Sequence, residues 1–133
     1  MKRDMELIRK ILFEIEKRPP FESDPIKITG YDMQAIAYHC EMLYEEGYIK
    51  EYHATTCDNF DGVLYFWVQD LTWQGQDLIE TIRNDTVWKK TMKTIEEKTL
   101  AVTIGTVKTI ATAFITATTE GIVNAIIKNG GQL

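Results

Sequence analysis

The segment GVLYFWVQDLTWQGQDLIETI, Gly62 to Ile82, constrains this chain more than any other. Its aromatic and β-branched start has the composition of a strand packed on a core. Within two residues it gives way to helical spacing that opens on Leu71 and Thr72. Thr72 suits the N-cap of a helix over Trp73 to Arg83, so strand passes into helix with almost no loop. Gly75 falls in the first turn of that helix, where glycine costs about 1 kcal/mol relative to alanine. The pattern therefore predicts a close approach of that turn to the sheet, leaving no room for a Cβ. Leu78, Ile79 and Ile82 complete a buried stripe.

Upstream, Asp4 to Lys17 reads as an amphipathic helix with Met5, Ile8, Ile11, Leu12 and Ile15 at helical spacing. Pro19 and Pro20 end it, because neither ring donates a backbone hydrogen bond. The connector FESDPIKITGY follows, with Ile26 and Ile28 alternating as in a short edge strand. Asp32 is the expected N-cap of a second helix to about Glu46, its inward face Met33, Ile36, Ala37, Cys40 and Leu43. Gly47 stops it at C′, where φ > 0 is cheapest without a Cβ. YIKEYHAT and GVLYFWVQD read as two strands joined through TCDNFDG, with Asp61-Gly62 supplying the turn. Asp85 is placed to cap a further helix carrying Trp88, Met92 and Ile95 on one side.

The stretch LYEEGYI, followed by a hairpin and then LTWQG, resembles a signature of many bacterial winged helices. MKRDMELIRKIL, IAYHCEMLYEEGYI and LTWQGQDLIETIRNDTVWKKT together resemble an uncharacterised bacterial and phage family of unknown function, over roughly residues 1–95. With the element order, the resemblance implies an α+β fold with a winged helix-turn-helix-like domain over 1–98; residues 99–133, beyond the resemblance, read from their own spacing as a C-terminal helical extension. One clear helix precedes the hairpin where winged helices usually show two. The family implies no activity and no cofactor.

The extension has its own texture. Thr99 to Thr119 holds eight threonines among aliphatic residues. Leu100, Ile104, Val107, Ala111 and Phe114 recur at the 4-3-4-3 spacing of a helix that meets another helix. GIVNAIIKNGG then forms a second, shorter apolar stretch. The seam can pack on the chain's own core or pair with a second copy as a homo-oligomer. A membrane span is disfavoured, since Lys108 and Glu120 interrupt the apolar run.

The inventory gives catalysis little to work with. Ser23 is the only serine and lies in a proline-bounded loop, and no glycine motif cradles a phosphate. His53 and Cys57, four apart at a strand end and in a loop, do not form a thiolate pair. A zinc site from His39, Cys40, His53 and Cys57 fails because adjacent helical residues point about 100° apart. The expectation is no enzyme, no metal and no cofactor. With no charged-then-apolar leader at the N-terminus, both cysteines read as reduced thiols of a cytoplasmic protein.

Charge decides between the partners a winged helix suggests. Residues 28–82 hold one basic side chain, Lys50, against ten acidic ones. The helix from Asp32 to Glu46 has no Lys or Arg and four carboxylates. Duplex DNA carries one negative charge per ~1.7 Å, and its non-specific affinity comes mainly from neutralising that charge. The usual docking of this helix in a major groove is thus disfavoured. The leading expectation is a non-enzymatic interaction or regulatory module that recognises a protein partner. Its surface would comprise Gln34, Tyr38, His39, Glu41 and Glu45 on the helix, and Tyr65 and Trp67 on the strand. The alternative is a DNA-binding regulator that uses a separate basic face of Lys2, Arg3, Lys10, Lys89, Lys90 and Lys93, or a dimer.

Overall fold

The structure, a computed structural model, describes residues 1–128; Asn129 to Leu133, the end of the predicted extension, lie outside the described residues. The elements run α1 (Met5–Glu16), α2 (Met33–Glu45), β1 (Tyr52–Cys57), β2 (Phe60–Val68), α3 (Trp73–Ile82), α4 (Asp85–Glu97) and α5 (Ile104–Lys128). The fold is α+β, and its sheet is the antiparallel pair β1–β2. The chain divides into two units, Met1–Ile79 and Glu80–Leu133.

In the first unit α1 buries Met5, Leu7, Ile8, Ile11, Leu12 and Ile15 along one side. Each such side chain contributes about 1.5–3 kcal/mol on leaving water, the main reason the helix is stable at 12 residues. Asp4 caps it by accepting from the Leu7 N–H at 3.2 Å. Asp32 caps α2 through the Ala35 N–H at 2.8 Å. Gly47, at φ +82°, closes α2. The Gly47 N–H donates to Tyr44 O (3.0 Å) and the Tyr48 N–H to Leu43 O (2.8 Å), the paired bonds of a Schellman motif.

The junction into α3 is built on that same turn. Thr72 donates its N–H to Tyr48 O (3.1 Å) and its hydroxyl to Gly47 O, while its Oγ1 accepts from the Gly75 N–H at 3.0 Å. A Cβ on Gly75 would overlap the Tyr48 carbonyl and lie 3.1 Å from Leu71 Cβ. The close approach predicted for Gly75 exists, but it is to the turn that ends α2 and not to the sheet.

The hairpin differs from the sequence pattern in three places. Cys57 pairs with Phe60, so the turn is Asp58-Asn59 and Asp61-Gly62 lies within β2. There the register slips between Thr55 and Cys57, and Gly62 takes φ +107°. β1 begins at Tyr52 because Ile49 makes only an isolated bridge, to Leu71. Ile26 and Ile28 form no strand: the connector touches β2 only at the bridge Asp24–Val68.

In the second unit Asn84, one residue before the predicted Asp85, caps α4 by accepting from the Val87 N–H at 3.0 Å. Asp85 instead occupies the first turn, where its charge suits the helix dipole. Trp88, Thr91 and Ile95 are buried, and Met92 only partly. α5 opens on Thr103, whose Oγ1 accepts from the Thr106 N–H (3.1 Å), and continues through Gly121. As far as Lys128 the two apolar stretches of the sequence are therefore one helix, of 25 residues. By length and composition alone, this helix is long and apolar enough to cross a membrane.

Gly75→Ala tests the junction by sign. Helix propensity alone would stabilise the variant by about 1 kcal/mol. The overlap with the Tyr48 carbonyl should instead lower stability by about 1–3 kcal/mol, read from the urea midpoint.

Candidate functional site

The outward side of α2 and the hairpin beside it carry most of the sequence-predicted surface, and the structure sorts those residues into two groups. Gln34 and His39 are structural. Gln34 Nε2 donates to Val63 O at 2.7 Å, and its Oε1 accepts from the Val63 N–H at 2.8 Å. This two-point clamp holds the irregular part of β2 against α2 and satisfies main-chain groups that the register slip leaves without a strand partner. A Cβ on Gly62 would overlap the Gln34 amide, so Gly62 makes the clamp possible. Gln34 is thus not free to read a base or a partner.

His39 is 1% exposed, which corrects its predicted outward position. Its Nε2 accepts from the Asp4 N–H at 2.8 Å, leaving Nδ1 to carry the proton and donate to Ala35 O at 2.7 Å. The first bond joins the N-cap of α1 to α2, and the second anchors the ring to α2's own main chain. Asp4 Oδ2 also accepts from the Tyr31 hydroxyl at 3.3 Å. A helical-wheel position cannot reveal this, because α1 packs across the face that α2 would otherwise expose.

Tyr38, Glu41 and Glu45 are exposed as predicted, and Tyr44 joins them. On the hairpin Tyr65 is exposed, while Trp67 is half-buried and stacks on His53 with ring centroids 4.2 Å apart. Phe66 and Val68 face the core; Leu64, which strand alternation would put on the same face, is exposed where β2 runs past the core. Met33, assigned inward, is 40% exposed. The rings of Tyr44, Tyr52 and Phe66 form a tilted series running inward from the surface, 6.5 Å and 6.3 Å between centroids. The Tyr52 hydroxyl is buried without a hydrogen-bond partner among the described residues. Burial, then the nearby Glu41 and Cys40, push its pKa up to about 12. Burial pushes the Cys40 thiol up to about 12 as well, against a smaller lowering by Arg18.

The other candidates are scattered. Lys2, Arg3 and Lys10 are exposed in the first unit, with Lys10 Nζ 5.5 Å from the Tyr31 ring centroid. Lys89, Lys90 and Lys93 are exposed on α4, where Lys93 pairs with Glu97 at 3.8 Å. Of the predicted self-association seam, Val107 and Ala111 are fully buried within the chain, α5 packing against α4. They are not available to a second copy. Ile104 and Phe114 are half-buried, and Leu100 is exposed. Among the described residues no three His, Cys, Asp or Glu side chains gather as metal ligands would.

One feature was not legible in the sequence. An open groove of about 600 Å³ lies between the connector, the start of α2 and β2, lined by Ile26, Ile28, Met33, Ile36, Tyr65 and Phe66 among others. It combines residues that the sequence pattern assigned to an edge strand, a helix interior and a strand face.

These features define a small α+β protein with an acidic, aromatic surface on its first unit. The chain belongs to the family described as "Hypothetical protein (DUF2513)", whose pattern matches residues 2–101. An "Uncharacterized protein" of Haemophilus influenzae (strain ATCC 51907 / DSM 11121 / KW20 / Rd) is 32% identical over 117 residues, covering 86% of this chain and 96% of the relative. No solved structure matches. The uncharacterised family that the sequence motifs resemble is the one to which the chain belongs.

Two outcomes follow from this geometry. Gln34→Met should lower stability by about 1–2 kcal/mol, as two bonds are lost, and should speed hydrogen exchange at the Val63 amide. The alkaline limb of stability should carry Cys40 and Tyr52. Both pKa values are raised on folding, so each neutral form is fully favoured below the ordinary values of 9.0 and 10.0. That stability is lost as pH climbs toward 12. The urea midpoint should fall across this window, and Tyr52→Phe, which removes the orphan hydroxyl, should flatten the fall without lowering the midpoint at neutral pH.

Proposed function

We propose that the chain is a winged-helix module without catalytic function that recognises a protein partner through α2 and the hairpin. The element order α1, α2, hairpin, α3 supports the winged-helix reading. So does the bridge from Asp24 to Val68, which sits where a third strand would join the hairpin. The observation that carries the partner reading is the composition of the exposed face. Tyr38, Glu41, Tyr44 and Glu45 are outward on α2, Tyr65 is outward on β2, and no Lys or Arg lies on the helix. Exposed tyrosines offer contact area with few rotatable bonds, and carboxylates around them favour a basic partner surface. The commitment of Gln34 to Val63 supports the same reading, since it removes the side chain best suited to an adenine edge. Free cysteines, with Cys57 exposed, suit a reducing cytoplasm.

The test pairs capture with a DNA titration. The wild-type protein should retain specific proteins from extract of its native cell that Glu41→Lys/Glu45→Lys does not retain. A matched Glu96→Lys variant should behave as wild type. Identical captured sets from all three would remove the α2 surface from consideration. A random-sequence duplex at about 50 mM salt should show no binding at micromolar protein, because counterion release is most favourable there. Binding there, lost on changing Lys2, Arg3 and Lys10 or Lys89, Lys90 and Lys93, would establish the DNA-binding regulator instead.

A further inference from the structure

The connector is a ridge between two depressions. On its β2 side lies the open groove of about 600 Å³. The groove's floor is closed, since Ile26, Ile36 and Phe66 are at most 3% exposed. What a ligand would touch is the apolar rim: Met33 and Tyr65, 40% and 48% exposed, with Ile28 and Tyr31 half-buried. On the α1 side lies a second depression, of about 450 Å³, walled by Lys10, Phe13, Glu14 and Lys17. The two share Lys27, Ile28 and Thr29, so they meet along the ridge. Their charge is positive. Lys27 is the only charged residue lining the groove, and the second depression adds Lys10 and Lys17 against Glu14. Lys17 takes up Glu14 at 2.9 Å. Among the described residues no carboxylate pairs with Lys10 or Lys27. Lys10 Nζ stands 5.5 Å from the centroid of the Tyr31 ring, and that ring lines the groove. Asp4 touches this lining through the Tyr31 hydroxyl, but it lines neither depression and already accepts from that hydroxyl and the Leu7 N–H.

An apolar rim that ends on two ammonium groups without a carboxylate fits a ligand with the same division, an aliphatic chain and an anionic end. A peptide would find no main chain to pair with on the β2 side, because Phe66 is buried; an alkyl chain needs none. We propose that the groove and the depression beside it form one binding site for a linear aliphatic carboxylate. Its chain lies along Met33, Tyr65 and Ile28, and its carboxylate reaches Lys27 and Lys10 at the ridge. Removal of the chain from water drives binding. The lysines are exposed, so they fix the ligand's direction and select for anions more than they add affinity. The site stands apart from the partner reading: Tyr65 is common to both, and neither Glu41 nor Glu45 lines it.

The test titrates the full chain with decanoate, below the concentration at which it forms micelles, and reads methyl and amide NMR signals. Saturable shifts should appear at the Met33, Ile28 and Ile26 methyl groups and at the Lys27 amide. Each methylene removed from the ligand should weaken binding by up to about fourfold. Decyltrimethylammonium, with the same chain and the opposite charge, should bind about tenfold more weakly or not at all. Lys10→Gln/Lys27→Gln should weaken decanoate by about three- to tenfold and leave decanol unchanged, a split that a loosened fold would not give. Met33→Asp puts a carboxylate on the rim, in the first turn of α2 where the helix dipole tolerates it, and should weaken decanoate by about tenfold or more. No saturable shift up to millimolar decanoate would overturn the proposal. So would equal binding of the cationic amphiphile, or shifts centred on the exposed Ile122, Val123 and Ile127 of α5. Binding of an acidic, leucine-rich peptide at the rim, with none of decanoate, would overturn it in favour of a peptide site. Unchanged decanoate binding in Glu41→Lys/Glu45→Lys would support the site and separate it from the α2 surface, whose own failure would leave it standing.

Discussion

The carbonyl of Tyr48 is the point on which the first unit turns. It accepts from the Thr72 N–H and sits where a Cβ on residue 75 would have to go. Around it the end of α2, the base of the hairpin and the start of α3 are bonded within a few residues of one another. Lys50 N–H donates to Asp70 O at 2.9 Å, and Ile49 bridges to Leu71 on the next rung. Because both feet of the hairpin are held to the helices that flank it, the hairpin's direction is set by this junction. A two-stranded ribbon has little stability by itself. What fixes it here is the closed base and, nearer the tip, the grip of Gln34 on Val63.

Periodicity and caps carried most of the helices. Asp32 and Thr72 have the side chains an N-cap requires, Gly47 adopts the positive φ that stops a helix, and the stripe of α1 is buried as its spacing indicates. Asn84 and Asp85 are adjacent good caps, and local pattern does not choose between them. The hairpin turn was misplaced for a different reason. Asp61-Gly62 has strong turn chemistry, yet Gly62 serves an irregular strand whose shape depends on a glutamine 28 residues earlier in the chain. Long-range contacts of this kind leave no periodic trace. The same holds for His39, which looks outward on a wheel and is covered only because α1 crosses it.

The candidate surface was legible where it depended on charge and not where it depended on hydrogen bonding. Tyr38, Glu41 and Glu45 are exposed because nothing in the described structure packs over them. Gln34 and His39 are polar residues at polar wheel positions, but each satisfies groups elsewhere in the fold: a main-chain N–H and C=O of β2 in one case, the N–H of Asp4, which caps α1, in the other. The groove was hidden for a related reason. Ile26 and Ile28 alternate as a strand does, and alternation reports which side chains share a face, not whether the backbone finds a neighbour.

Losing Gln34 from the exposed set sharpens the electrostatic argument. A recognition helix on duplex DNA approaches phosphates to within a few ångströms, well inside the ~8 Å screening length of physiological salt. Like charges about 4 Å apart repel by about 1 kcal/mol even at the dielectric of water, and by more where the interface excludes it. Such a helix tolerates one carboxylate when cations or base-specific hydrogen bonds compensate. α2 has neither: Glu41 and Glu45 stand on its outward side without a cation, and its one good base-reading amide holds Val63. On the basic partner proposed above the sign would reverse: the same carboxylates would steer encounter and the tyrosines between them would provide contact area. On the proposed reading, one charge distribution opposes one class of partner and suits the other, and the Gln34 amide, committed to Val63, removes the hydrogen bonding that could have offset it.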